Sequence, residues 1–339
     1  MKIVSCDHFF KLKYYKMKLS LKLLLLLPFV FLLVGCPNDD ATPEVVIRPY
    51  SEVAAEDDLE LNTFMDEHSI AIDADYNVTF TEITSATPGT PISSHPNLTF
   101  KTVSQGGVDH KLYYISFRNG DGNTLADSDI TNDNPTKLDS IHSVYKGIKF
   151  DRKETTTSGV FSTTQTVFDA ASNPVWFQLE NVIEGWQEIF PEFKRGNSTY
   201  SASTGITTYS DFGAGVMFVP SGLAYFNQSA GSIGIYTPII FSFKLMNLKY
   251  KDFDGDKLLS KDEYGGPTSG TARDSDSDGK PDYADFDDDN DGLLTKNEIK
   301  KPVITVGVHP GWYAFDASEL NCALGNAKKR YLNPNTGCN

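Results

Sequence analysis

The strongest constraint on how this chain can fold is a dense block of acidic residues near its C-terminal end. Between Asp252 and Glu298 there are 15 acidic and 5 basic residues, so this segment carries −10 of the net charge of −15 of the 339-residue chain. Like charges packed this closely repel one another unless a cation lies among them. The segment therefore either folds around bound cations or remains a disordered acidic linker. The negative surplus also argues against nucleic acid as the main partner.

The spacing of these carboxylates favours calcium. The stretch 287–298 fits the 12-residue EF-hand loop, with oxygen ligands at positions 1, 3, 5, 9 and 12 and a glycine at position 6. The stretch 252–263 also fits, except that Lys257 stands at the glycine position, and residues 274–285 resemble a thrombospondin type 3 repeat. We expect a compact, metal-wrapped rod or cap over residues 252–300, holding structural Ca²⁺. The predicted ligands are Asp252, Asp254, Asp256, Glu263, Asp274, Asp276, Asp278, Asp282, Asp285, Asp287, Asp289, Asp291 and Glu298.

The N-terminus has the organisation of an export signal. A lysine-rich stretch precedes an apolar run from Leu23 to Val34, which is too short to span a membrane in a relaxed way. The run ends in L-V-G-C, which resembles a bacterial lipobox and implies removal of residues 1–35 and lipidation of Cys36. The alternative is ordinary cleavage near Gly35 with an unmodified cysteine. Lipidation would anchor the chain to a membrane through the tether 36–50, and we expect the outer membrane, on its periplasmic or its cell-surface face.

The remaining cysteines favour a disulfide over a metal site. They lack the C-x-x-C spacing of a zinc site. Cys322 and Cys338 enclose 15 residues of the C-terminal tail 301–339, and in an exported protein a disulfide is the natural pairing. Two free thiols are the alternative.

Hydrophobic patterning between the tether and the acidic segment predicts an α+β fold with an antiparallel sheet. One amphipathic helix is expected between residues 51 and 68, within an N-terminal extension (51–108) to which the sequence assigns no role beyond packing. The polar stretch 154–166 is predicted to be a loop. Strands are expected at 112–117, 140–145, 215–220 and 239–248, and a short helix at 182–193.

Residues 109–250 resemble an FKBP-type peptidyl-prolyl isomerase. The most specific match is V-I-E-G-W-Q-E at residues 182–188, and five weaker matches follow the family's order. They are L-Y-Y-I with N-G-D-G (112–122), V-Y-K-G (144–147), V-F-D (167–169), P-S-G-L-A-Y (220–225) and I-I-F-S-F-K-L (239–245). The extension, lipobox and acidic C-terminus together resemble FKBP-type lipoproteins of Bacteroidetes.

The resemblance implies a sheet curled around a short helix and an aromatic pocket for proline. Trp186 would form its floor, Asp169 and Tyr225 polar groups at the rim, and Ile183 a backbone donor to substrate. The implied site residues are Tyr145, Phe168, Asp169, Phe177, Val182, Ile183, Trp186, Tyr225 and Phe241. No cofactor is expected for catalysis, because rotation about an X–Pro bond, with its barrier of ~20 kcal/mol, needs no nucleophile or metal.

Three departures from the family pattern bear on activity. Val175 stands where the family usually has an aromatic wall, Phe226 replaces a glycine, and residues 233–236 replace an I-P-P stretch. The leading hypothesis is an exported, lipid-anchored isomerase that assists folding of proline-containing envelope or secreted proteins. The alternative is a non-catalytic FKBP-like chaperone or binding module with a calcium-stabilised role in assembly or adhesion.

Overall fold

The computed structural model describes residues 47–122, 134–264, 272–302, 311–315, 317–320 and 329–332. The predicted signal peptide 1–35, the lipidation site Cys36, and both Cys322 and Cys338 lie outside these residues. No helix in the described ranges is long and apolar enough to cross a membrane.

The described part of the chain contains one long helix, ten strands and three very short α-helices. In chain order they are α1 (Tyr50–Glu67), β1 (His68–Ile72), β2 (Val78–Glu82), β3 (Leu98–Gln105), β4 (Val108–Arg118), β5 (Ser140–Glu154), β6 (Phe161–Gln178), α2 (Glu184–Ile189), β7 (Asn197–Ser201), β8 (Ile206–Ser210), β9 (Gly213–Val219), β10 (Ile239–Lys249), α3 (Ser260–Glu263) and α4 (Thr295–Glu298).

A six-stranded antiparallel sheet with the order β3-β4-β9-β10-β5-β6 forms the centre of the fold. Its middle strand β9 is buried at all seven positions, as expected for a strand covered on both faces. On one face lies α2, whose Trp186 and Ile189 join a core with Phe241 and Phe243 of β10. These observations confirm the predicted mixed fold with a large antiparallel sheet.

The opposite face of the sheet is covered by the N-terminal extension. Leu61, Phe64 and Met65 of α1 are buried in a second core, against Phe218 of β9 and Ile240 of β10. The predicted helix at 51–68 is thus present with nearly the expected bounds. The extension also supplies β3, which pairs with β4 from Leu98↔Ile115 to Gln105↔Val108, so the main sheet begins before residue 109.

The polar stretch 154–166 is mostly strand, and the prediction of a loop there was wrong. β5 and β6 form a long hairpin paired as far as Glu154↔Phe161, so only residues 155–160 lie outside the strands. Threonine is β-branched and suits an extended backbone. Its residues are mostly polar because the end of this hairpin is largely exposed to solvent. A separate hairpin, β7–β8, was not predicted.

Candidate functional site

The indole of Trp186 lies at the bottom of a cluster of aromatic rings between α2 and the sheet. Trp186 is only 4% exposed. Its ring meets Tyr145 of β5, Phe177 of β6 and Phe241 of β10 edge to face, with centroid separations of 5.2, 5.3 and 5.1 Å. Such near-perpendicular contacts are favoured by the ring quadrupoles and hold each ring in one orientation.

The upper part of the cluster is half-buried rather than closed. Phe168 of β6 packs edge to face on Phe241 at 5.4 Å. Partial exposure is retained by three ring residues of the sheet, Tyr145, Phe168 and Phe177. The same holds for Val182 and Ile183 before α2 and for Tyr225 in the loop after β9. The structure thus brings eight of the nine predicted site residues into one apolar cluster with an accessible rim: Tyr145, Phe168, Phe177, Val182, Ile183, Trp186, Tyr225 and Phe241.

Gly147 creates the space that two of these rings occupy. It lies in β5 opposite Phe241 of β10 and Asp169 of β6. A Cβ at this position would stand 2.5 Å from Phe168 Cζ and 2.7 Å from Phe241 Cε1, closer than real Cβ contacts come. The shape of the cluster therefore depends on a missing side chain in the strand beneath it.

The ninth predicted residue, Asp169, is held at the rim by a hydrogen bond. The hydroxyl of Tyr145 donates to Asp169 Oδ2 at 2.7 Å. Burial, followed by this hydrogen bond, raises the pKa of Tyr145 to about 12. Tyr145 therefore stays protonated near neutral pH, and the carboxylate is fixed beside an otherwise apolar pocket.

The backbone at Ile183 offers a free donor next to the rings. Its carbonyl accepts from the N–H groups of Trp186 and Gln187 as α2 begins, at 2.9 and 3.3 Å. Its own N–H has no hydrogen-bond partner within the described part of the chain. A groove of about 330 Å³ runs from here along Val182 and Tyr225 towards Tyr50 of α1. A bound peptide could therefore receive a backbone hydrogen bond while its side chains follow the groove.

The sequence departures have specific structural consequences. Val175 is 43% exposed and contributes no aromatic wall. The adjacent Trp176 stacks instead on His142, at 4.6 Å between ring centroids and away from the pocket. Phe177 is therefore the aromatic residue that this part of β6 adds to the cluster.

Phe226 adopts the left-handed backbone conformation that the family's glycine would adopt without strain, with φ 48°. Its ring stacks on Tyr50 at 3.7 Å, and Tyr236 meets it edge to face at 5.2 Å. The N-terminal extension thus buttresses the loop that carries Tyr225. The same loop is tied to α1 by the buried Asp57, which accepts hydrogen bonds from the Ser221 N–H and hydroxyl, both at 2.7 Å. The sequence did not single out either contact.

The acidic segment consists of three loops with the same geometry: 252–263, 274–285 and 287–298. In each loop the carboxylate at position 1 accepts from the N–H at position 6, at 3.0–3.2 Å. The carboxylate at position 5 accepts from the N–H at position 7, at 2.7–2.8 Å. The side chain at position 9 accepts from the N–H at position 2, at 2.7–3.1 Å. The three loops are therefore three copies of the same structural unit.

Positions 4 and 6 have positive φ in all three loops. At position 6 the angles are 86° for Lys257, 95° for Gly279 and 90° for Gly292. Lys257 therefore takes the conformation of a glycine, at a strain cost of about 1–2 kcal/mol. The geometry of the first loop is retained despite this substitution.

Oxygen atoms of the predicted ligands converge in each loop. Three groups lie with one carboxylate oxygen per residue within 4.8 Å: Asp252, Asp254 and Asp256; Asp274, Asp276 and Asp278; and Asp287, Asp289 and Asp291. The residues fit a hard cation such as Ca²⁺, because every donor is a carboxylate oxygen.

Asp282, Asp285 and Glu298 are not members of these groups. Asp282 accepts from Ser275, and Asp285 lies 3.3 Å from Lys280 Nζ.

A fourth group combines Asp256 and Glu263 of the first loop with Asp288 of the third, and all three are buried. Burial, followed by the charges of Asp256 and Asp288, raises the pKa of Glu263 to about 11. Burial and then Asp256 raise the pKa of Asp288 to about 9. Asp288 was not predicted as a ligand from the sequence, because position 2 of an EF-hand-like loop is not a ligand position.

The acidic segment is attached close to the rim of the aromatic cluster. Lys251, one residue before the first loop, pairs with Glu180 at 2.7 Å, two residues before Val182. Its N–H donates to the buried Asp139 at 3.0 Å. Elsewhere in the segment, Leu258 of the first loop and Ile299, directly after the third loop, share a small core with the tail residues Leu320 and Tyr331.

Comparison with known proteins gives one family match and distant structural likenesses. Residues 246–327 match the family described as BamM C-terminal. This segment contains all three acidic loops, and the matching family is not an EF-hand family. No curated protein matches the chain. A peptidyl-prolyl cis-trans isomerase from Pseudomonas syringae pv. tomato is 15% identical with a TM-score of 0.33, covering 60% of this chain and 98% of that one. FkpA from Escherichia coli is 17% identical with a TM-score of 0.31, covering 59% of this chain and 60% of FkpA. The family match thus concerns the C-terminal part of the chain, and the two structural likenesses concern about 60% of it.

Proposed function

We propose that this chain is a peptidyl-prolyl cis-trans isomerase of the FKBP type. It would be exported, anchored by a lipid on Cys36, and act on proline-containing envelope or secreted proteins. The observation that carries the proposal is the ring cluster around Trp186, with a half-buried rim and a fixed carboxylate at Asp169. Beside it lies the N–H of Ile183, which has no partner among the described residues.

The chemistry of isomerisation fits these parts. Rotating the X–Pro bond breaks amide resonance, at a cost of ~20 kcal/mol. The twisted amide has a less polar carbonyl than the planar one, so an apolar pocket that excludes water favours it over the ground state. The rings around Trp186 would receive the proline side chain. The Ile183 N–H would hold the peptide backbone while the bond turns.

A non-catalytic binding module is the second candidate. It is favoured by the exposed Val175 in place of an aromatic wall and by Phe226 beside the rim, stacked on Tyr50. A pocket that lacks one aromatic wall could still bind proline-containing segments without favouring the twisted X–Pro amide enough to accelerate isomerisation.

We propose further that the three loops bind structural Ca²⁺. The repeated geometry and the converging carboxylates support this proposal. Outside a cell even sites with a Kd of ~10⁻⁴ M would be filled, because extracellular calcium modules work in that range. A location in the cell envelope is supported by the lipobox-like sequence and is consistent with the BamM C-terminal match.

The test is prolyl isomerisation of a proline-containing tetrapeptide by residues 37–339 in the presence of calcium. Trp186→Ala should remove the pocket floor and Asp169→Ala the rim carboxylate, so both should lower the catalysed rate at least tenfold. Trp176→Ala is the matched control, because this tryptophan is 48% exposed and stacks on His142 outside the cluster.

Circular dichroism of each variant separates loss of chemistry from loss of fold. Wild-type acceleration that disappears in Asp169→Ala and survives in Trp176→Ala would support the isomerase. A folded wild type without acceleration would exclude it and favour the binding module, to be examined with proline-containing peptides as ligands.

A further inference from the structure

The buried carboxylates at the junction of the first and third loops need a positive partner. Asp256, Glu263 and Asp288 are 0%, 1% and 2% exposed. Each offers an oxygen within 4.8 Å of the others. Three carboxylates this close and this deeply buried cannot all be ionised without a positive partner, since little water remains to screen them.

Most of the carboxylate oxygens at this junction are not engaged by the described part of the protein. Both carboxylate oxygens of Glu263 and of Asp288, and one of Asp256, lack a hydrogen-bond partner within the residues described. The Thr295 hydroxyl accepts from the backbone N–H of Asp288 at 3.1 Å, and its own O–H remains a neighbouring donor that lowers the pKa of the Asp288 carboxyl, so the oxygens of Glu263 carry the argument. Buried polar atoms without partners are rare in native proteins and point to a bound group.

Nearby lysines do not neutralise the cluster. Lys257 lies 3.8 Å from Asp252, and Lys261 lies 3.4 Å from Asp262. In the described ranges, no lysine or arginine forms an ion pair with Asp256, Glu263 or Asp288. Among the described residues, no basic side chain supplies the compensating charge, so a bound cation is the partner that this geometry suits.

We propose that Asp256, Glu263 and Asp288 bind one calcium ion together, so that the cation of the first loop is also held by the third. This inference rests on the proposed binding of calcium by the loops. Ca²⁺ suits the site because it accepts several carboxylates in flexible geometry, whereas Mg²⁺ retains several waters that a buried site cannot supply.

A cation shared by two loops would make the stability of each loop depend on the other. In a loop that acts alone, each calcium orders only its own 12 residues. A cation held by Asp288 as well as by Glu263 clamps two loops together. Removing it should loosen both loops at once, together with the small core formed by Leu258 and Ile299.

The experiment compares calcium binding by residues 37–339 with that of Asp288→Asn, Glu263→Gln and the double variant, using calorimetry after removal of bound metal. Asp278→Asn is the matched control, because Asp278 is an exposed ligand of the second loop. We expect Asp288→Asn and Glu263→Gln each to weaken the same site at least tenfold. The double variant should be no worse than Glu263→Gln alone. Asp278→Asn should weaken a different site, and its effect should add to that of Asp288→Asn.

Thermal unfolding in chelator shows that the variants fold. Asp288→Asn should stay folded in chelator, with a Tm close to that of wild type, and should show a smaller calcium-induced rise in Tm than wild type. Wild-type calcium affinity in Asp288→Asn, with the variant folded, would overturn the shared site. A wild type that binds no calcium would overturn the calcium proposal for the loops and the shared site together.

Discussion

Replacing Gly147 by alanine tests whether the aromatic cluster has the packing that the structure indicates. The change removes no polar group and deletes no ring. It adds a methyl group 2.5 Å from Phe168 Cζ and 2.7 Å from Phe241 Cε1, where ordinary contacts are 3.4–4 Å. Both rings must therefore move by about 1 Å, and Phe241 is in edge-to-face contact with Trp186.

The magnitude follows from two opposing effects. Overpacking a well-filled core costs roughly 1–3 kcal/mol. Replacing a glycine inside a strand returns roughly 0.5–1 kcal/mol, because the unfolded chain loses freedom. The net loss of stability should be about 1–2 kcal/mol, or roughly 2–6 °C in Tm for a domain of this size. Because a displacement of about 1 Å at a reacting centre can cost up to 10²-fold in rate, we expect isomerase activity to fall at least tenfold.

Thermal unfolding and the tetrapeptide assay measure the two effects separately. Gly234→Ala is the control, since only Thr237 Oγ1, at 3.3 Å, lies near the added methyl group. Its stability should stay within ~0.5 kcal/mol of wild type. If Gly147→Ala matched wild type in both Tm and rate, Phe168 and Phe241 would not occupy the space above Gly147, and the reasoning about the pocket would fail.

Three further predictions address other parts of the molecule. Lys257→Gly should stabilise the first loop by about 1 kcal/mol, because a lysine at φ 86° is strained; an unchanged Tm in calcium would contradict this. Burial raises the pKa of Asp57 from 3.8 to about 6, so the folded protein should lose stability as pH rises from about 4 to 6. Asp57→Asn should remove this contribution to the slope, of at most about 3 kcal/mol; urea unfolding across this pH range tests it, and a slope equal to that of wild type would contradict it. Tyr145→Phe should leave the fold intact but free Asp169, lowering the isomerase rate severalfold, and an unchanged rate would exclude a role for that hydrogen bond.

Local patterns in the sequence predicted four of the six strands of the central sheet, β4, β5, β9 and β10, and the spacing of the acidic loops. The helix at 51–68 follows from apolar spacing, and its bounds agree with α1 within a residue or two. The pairing of β3 with β4 was not foreseen, because a strand's partners are set by contacts distant in sequence. The polar β5–β6 hairpin was missed because its exposed end lacks the apolar alternation that marks a half-buried strand.

The sequence by itself determined the aromatic residues available for the cluster around Trp186 and the 12-residue spacing of the acidic loops. Both are local: a run such as V-I-E-G-W positions a tryptophan at the start of a helix, and alternating aspartates place oxygens around one point. Only the tertiary structure decided that α1 covers the second face of the sheet and supports the rim through Tyr50 and Asp57. It also decided that Asp288 meets Glu263, since burial and charge at that junction depend on how separate loops pack, which no local spacing encodes.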